Sequence, residues 1–143
     1  MTLEKAIEIA LYAHKNQVDK NGRPYILHPL RVMLQMDTEA EQIVAVLHDV
    51  LEDSDLTSLS LREQGASQEI LTILDHLTHR KNESYAEFIL RVMQNPVARK
   101  IKLADLWDNM DLRRLPEATE EDFARYRKYE MAYKVLAEKK ISQ

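Results

Sequence analysis

One run limits the fold more than any other: Ile43-Val44-Ala45-Val46-Leu47-His48-Asp49-Val50-Leu51-Glu52-Asp53. Its apolar residues fall on nearly every side of a helix, and a helix apolar all round belongs at the centre of a fold with other elements wrapped about it. The run closes on four ionisable side chains, His48, Asp49, Glu52 and Asp53. Imidazole and carboxylate are costly to bury unless they are paired or bind a cation, so a His-Asp doublet directly after a core-like stretch requires compensation. Two arrangements meet that requirement: an amphipathic helix whose polar end reaches solvent, or a divalent cation held between the side chains.

The rest of the chain reads as helix. Among 143 residues there are 2 Gly and 4 Pro, too few breakers for a sheet-rich fold and consistent with an all-α one. A single domain over 1–143 is expected, long enough to bury a core. Leu3, Ala6, Ile7, Ala10, Leu11 and His14 share one face of a first helix from Thr2 to about Asn16. His14 there reads as a core histidine bonded to a neighbour and not as a ligand. The polar stretch Asn16 to Pro24, with Asn21-Gly22, reads as a loop suited to carry function. Pro29 suits the first turn of the next helix, which puts His28 at its entrance. Thr38 and Glu41 have capping-box spacing, so the central helix starts there. Ser60 to Glu63 is read as another cap, with Gly65 as the stop, and a helix follows from Ser67 to about Leu77. His76 and His79 are helix-end residues in this reading. Ser84 and Glu87 cap the next helix, and Pro96 opens a long one predicted to run until just before Pro116. Thr119 to Asp122 starts the last helix, and the final residues are expected to fray.

Composition excludes several functions. A formal net charge of −4 argues against a general nucleic-acid binder, whose affinity comes from excess Lys and Arg meeting phosphates. No cysteine is present, which removes disulfides, thiolate chemistry and cysteine zinc sites. No stretch has a signal peptide's pattern or transmembrane length, so a cytoplasmic protein without membrane partners is expected.

His28, His48, Asp49 and Asp105 together offer two imidazoles and two carboxylates, a set that suits Mn, Fe or Zn with positions left for water and substrate. Glu52 lies i+4 from His48 and Asp53 lies i+4 from Asp49, so both can face one cavity and handle a proton. Carboxylates near a helix C-terminus are disfavoured by the dipole, which favours a functional reason for this pair. Asp105 and Asn109 are also i and i+4, as are Arg125 and Tyr129.

Three ordered motifs carry a resemblance. Pro24-Tyr25-Ile26-Leu27-His28-Pro29, then Leu47-His48-Asp49-Val50-Leu51-Glu52-Asp53, then Lys102-Leu103-Ala104-Asp105 with Asn109, resemble the HD-type hydrolase domain of the RelA/SpoT proteins, and more closely the free-standing small alarmone hydrolases. The resemblance covers roughly residues 2–136. It implies a helical HD domain that binds one Mn²⁺ and removes the 3′-pyrophosphate from guanosine tetra- or pentaphosphate. It implies His28, His48, Asp49 and Asp105 as metal ligands and Glu52 and Asp53 as the pair handling the hydrolytic water. It places Lys20, Tyr25, Asn109, Arg80 or Lys81, Arg125 and Tyr129 on the nucleotide. In the loop before Gly22, Asp19-Lys20 stands where the family usually has Arg-Lys, and an acidic side chain neither stacks on a base as guanidinium does nor attracts a polyanion. Two other readings remain compatible with these residues: an HD phosphohydrolase for another nucleotide or phosphorylated metabolite, and a non-catalytic nucleotide sensor.

Overall fold

A computed structural model describes residues 1–115 and 117–138. Nine α-helices are found among them: α1 (Leu3–Ala13), α2 (Leu27–Leu34), α3 (Glu39–Leu47), α4 (Val50–Asp53), α5 (Ser58–Glu63), α6 (Gln68–His76), α7 (Tyr85–Met93), α8 (Pro96–Asn109) and α9 (Glu120–Ala137), with a 3₁₀ turn over Leu112–Arg114 before α9. The expected all-α class is what forms. Extended pairing among the described residues is limited to one antiparallel bridge between Val18 and Pro24.

Helix α3 is the hub. It packs against α1, α2, α6 and α8, and Ile43, Val44, Ala45, Val46 and Leu47 are all buried. Around it α1 contributes Ala6, Ile9 and Ala10, α6 Leu71 and Leu74, α7 Phe88 and Val92, and α8 Ala98, Ile101 and Leu106. Fully burying a Leu, Ile or Phe side chain stabilises by roughly 1.5–3 kcal/mol, so this layer is the main source of stability. Helix α9 closes the far side of α8 through Ala132 and Leu136.

Local signals set most helix starts. Thr38 accepts from the Glu41 N–H while Glu41 returns to the Thr38 backbone. The same reciprocal box joins Ser84 with Glu87 and Thr119 with Asp122. Such boxes satisfy two donors that a helix start would otherwise leave orphaned.

Three boundaries differ from the sequence reading. The run beginning at Thr38 does not continue as one helix through its acidic end: it breaks at His48–Asp49, and α4 restarts at Val50. Successive residues of an intact helix point about 100° apart; the break lets His48 and Asp49 address the same point. The cap of α5 is Thr57, not Ser60, which instead sits at the third helical position and completes that box. Helix α8 ends at Asn109 and not just before Pro116, because Asp111 accepts from Arg113 N–H and starts the 3₁₀ turn. Pro116 and the residues after Glu138 expected to fray lie outside the described residues.

Candidate metal centre

Three separate segments bring four side chains together. His28 comes from the first turn of α2, His48 and Asp49 from the break between α3 and α4, and Asp105 from the middle of α8. One ligand atom from each lies within 4.8 Å of all the others. His28 Nε2 is 2.8 Å from Asp105 Oδ1 and 3.7 Å from Asp49 Oδ2, and His48 Nε2 is 3.2 Å and 3.1 Å from the same two atoms. Ligands at ~2.1 Å from one cation stand ~3.0 Å apart when adjacent and ~4.2 Å when opposite, so these spacings suit a single divalent ion.

The donor set also fits a cation by the way its outer atoms are engaged. His48 Nδ1 faces the Ala45 carbonyl at 2.6 Å and His28 Nδ1 faces Asp108 Oδ2 at 2.7 Å, so both rings turn Nε2 inward. Partners on the far nitrogen orient metal-binding imidazoles in this manner. Tyr25 donates its hydroxyl to Asp49 Oδ2, Asn109 donates to Asp105 Oδ1 at 3.1 Å, and Lys102 Nζ lies 2.8 Å from Asp105 Oδ2.

These groups also compensate one another electrostatically. Burial works to lower His48, but Asp49 and Asp105 outweigh it and hold the imidazole well above its usual range. Burial likewise works to raise Asp105, and Lys102 and His48 overcome it and hold that carboxyl well below its usual range. A cation would take over the role of those protons, so binding would release them.

A cavity of about 310 Å³ opens beside the cluster. Asp19, Lys20, Tyr25, Asn109, Arg125 and Tyr129 line it with others. Tyr25 and Asn109 are the link, since each touches a cluster carboxylate and the cavity at once. Five of the seven expected nucleotide contacts therefore gather here. Arg80 and Lys81 do not: Arg80 pairs with Asp75 at 2.9 Å, Lys81 is exposed on the loop after α6, and neither lines the cavity. The loop wall is a small hairpin, with Asp19 N–H donating to the Arg23 carbonyl at 2.8 Å and Gly22 at φ +76°. Asp19 Oδ1 accepts from the Asn21 and Arg23 N–H groups, both at 2.9 Å, and so shapes the turn.

Glu52 and Asp53 sit on α4, directly after the His-Asp break. Glu52 Oε1 accepts from the His79 N–H at 2.5 Å. Desolvation, then the like charges of Asp49 and Glu52, push the Asp53 carboxyl up to about 6. Gln17 braces this end: its Nε2 donates to the carbonyls of Ala13 and Asp53, and its Oε1 faces His14 Nδ1 at 2.9 Å. His14 is buried, as its helical position implied. His76 faces the Arg91 carbonyl and His79 stacks on Phe88, so neither joins the cluster.

Lys102, Asp108, Arg31 and Arg114 were not singled out by sequence as parts of the site. A signal for Asp108 existed: it lies three residues beyond Asp105, hence on the same side of the helix. Arg31 and Arg114 show their role only once α2 and the 3₁₀ turn are brought against α8. Among the described residues, no helix is long and apolar enough to cross a membrane.

No protein-family model matches the chain. It is 34% identical over 120 residues to a guanosine-3′,5′-bis(diphosphate) 3′-pyrophosphohydrolase of Aquifex aeolicus, covering 76% of this chain and 17% of that one. A protein of the same name from Haemophilus influenzae is 38% identical over 117 residues, with 71% and 17% covered. A GTP pyrophosphokinase of Myxococcus xanthus is 30% identical over 142 residues, with 86% and 18% covered. The chain thus spans about a sixth of the length of these curated relatives, 17% of the first. Among solved structures, one described as a metazoan ortholog of SpoT that hydrolyzes ppGpp superposes with a TM-score of 0.74, covering 94% of this chain and 84% of that one. At 24% identity, that likeness speaks for the fold. Sequence similarity to SpoT-type proteins and a shared helical fold together make this chain a member of the RelA/SpoT-type HD hydrolase family.

Proposed function

We propose that residues 1–143 form one metal-dependent pyrophosphohydrolase domain that removes the 3′-pyrophosphate of guanosine tetra- or pentaphosphate, giving GDP or GTP and pyrophosphate, in the cytoplasm and with a small nucleotide as its partner. The observation that carries the reading is the convergence of His28, His48, Asp49 and Asp105 beside a cavity with Lys20 and Arg125 in its wall. The names of the relatives from Aquifex aeolicus and Haemophilus influenzae support the substrate.

Two imidazoles with two carboxylates and room for water admit Mn²⁺ among other divalent ions, and the family resemblance selects it as the single ion. A bound divalent ion lowers the pKa of water and offsets charge on a phosphoryl oxygen. The remaining work falls to this chain's own side chains. Glu52 and Asp53, which directly follow the His-Asp pair on α4, take up the proton of the attacking water. Lys20 and Arg125, both held by Asp122, offer cations to the phosphates. Asn109 and Tyr25 orient the substrate against the cluster.

The test uses protein stripped of metal, resupplied with Mn²⁺ and incubated with guanosine tetraphosphate, while GDP and pyrophosphate are followed. Metal-dependent release of both is expected. No release, with turnover of another nucleotide under the same conditions, would overturn the substrate assignment.

A further inference from the structure

The two histidines of the cluster are supported differently. His48 Nδ1 faces a backbone carbonyl, which is neutral and beyond the reach of side-chain change. His28 Nδ1 faces Asp108 Oδ2 at 2.7 Å, and that aspartate is 6% exposed. A carboxylate this deep is costly unless its oxygens are satisfied. Arg31 satisfies them as a fork, Nε on Oδ1 at 2.7 Å and Nη2 on Oδ2 at 3.0 Å. Arg114 adds Nη1 to Oδ1 at 3.5 Å and Nη2 to the Asp108 carbonyl at 2.5 Å. If tying α2 to α8 were the whole purpose, the Arg31 fork would suffice. Oδ2 is instead shared between the arginine and the far nitrogen of a cluster histidine.

We propose that Asp108, locked by Arg31 and Arg114, is a positioning residue for the metal: it keeps the proton on His28 Nδ1 and so presents the Nε2 lone pair to the cation. The inference rests on reading the cluster as a metal centre. Asp108 itself would touch neither ion nor substrate. A carboxylate behind a metal-binding imidazole fixes the ring and strengthens it as a donor, and losing such a partner typically weakens metal binding 10- to 100-fold.

The test measures Mn²⁺ affinity by competition with a fluorescent chelator, for the parent, Asp108→Asn and Arg31→Gln, with far-UV circular dichroism as the check on folding. Asparagine keeps the shape and an acceptor oxygen but not the charge. Asp108→Asn should weaken Mn²⁺ binding by roughly 10- to 100-fold with its helix signal intact. Arg31→Gln, which leaves the Asp108–His28 bond in place, should weaken it less. A second readout does not depend on a variant folding: in Zn²⁺-loaded, ¹⁵N-labelled parent protein, His28 should show an exchange-protected Nδ1–H. Parent-like Mn²⁺ affinity in Asp108→Asn, or an unprotected His28 Nδ1–H in the parent, overturns the inference alone. A parent that binds neither ion overturns the metal reading together with it.

Discussion

Asp105→Ala perturbs the cluster most directly. Asp105 Oδ1 meets His28 Nε2 at 2.8 Å, His48 Nε2 at 3.2 Å and Asn109 Nδ2 at 3.1 Å, and Oδ2 meets Lys102 Nζ at 2.8 Å. Truncation leaves Lys102, whose side chain is 14% exposed, without its anion. Removing one partner of a buried ion pair costs about 3–5 kcal/mol, and the residual solvent access of this lysine puts the loss near the lower end. For a domain of this size about 3 kcal/mol corresponds to a melting temperature lower by roughly 10 °C in the metal-free state. Metal should act on the parent in the opposite direction. A cation at 100 times its Kd adds about 2.7 kcal/mol, or roughly another 9 °C. The variant, short of one of four ligands, should gain little of this. The separation between the two melts should therefore grow from roughly 10 °C to roughly 20 °C when Mn²⁺ is added. The assay is thermal melting by far-UV circular dichroism on chelator-stripped protein, with and without Mn²⁺. Equal Mn²⁺ shifts in parent and variant would refute the reasoning, because a carboxylate with a purely structural role lowers both melts alike.

Other outcomes follow from the same geometry. Glu52→Gln keeps the acceptor for the His79 N–H but loses the charge, so Mn²⁺ affinity should hold while pyrophosphate release drops by about 100-fold or more; a parallel fall in metal content would make Glu52 a support for the ligands instead. Asp19→Asn retains the two turn hydrogen bonds and removes a negative charge from the cavity wall, so KM for the nucleotide should fall at low salt and the gain should fade as salt screens it; a KM unchanged at low salt would place the phosphates away from this wall. The Arg91 guanidinium, forked onto Glu83 at 2.7 and 2.9 Å, is the main cause holding that carboxyl at about 2 against an ordinary 4.5. Its folded form favours the carboxylate, so the pair's contribution is complete above pH 4.5 and is lost as pH falls towards about 2. Glu83→Gln should lower the melting temperature at neutral pH and flatten its acid decline, and a decline as steep as the parent's would contradict the pairing.

What could be read from the sequence was whatever is settled within a few residues. Thr38 with Glu41, Ser84 with Glu87 and Thr119 with Asp122 mark helix starts because each box closes on its own backbone. The apolar girth of Ile43 to Leu47 identified the central helix for the same kind of reason. The convergence of His28, His48, Asp49 and Asp105 was also legible, because each lies in one of three ordered motifs that resemble a known family's. Less legible were the features settled by partners far along the chain. The helix break at His48–Asp49 has no glycine or proline to announce it, and the side chains its residues meet lie 21 and 57 residues away, His28 in α2 and Asp105 in α8. The Asp108–His28 pair spans 80 residues and the Arg31–Asp108 pair 77. Arg80, by contrast, has a local competitor: Asp75, five residues earlier, takes its guanidinium.

Gln17 has a mechanical consequence. Its single amide is bonded at once to the end of α1, through the Ala13 carbonyl, and to the end of α4, through the Asp53 carbonyl, while its own backbone belongs to the loop that walls the cavity. Asn16, the residue before it, sits at φ +67°, a left-handed turn that fixes where the loop leaves α1. Loop and carboxylate-bearing turn are therefore geared together. A shift of the loop backbone at Gln17 is thus passed to the Asp53 turn through that one amide.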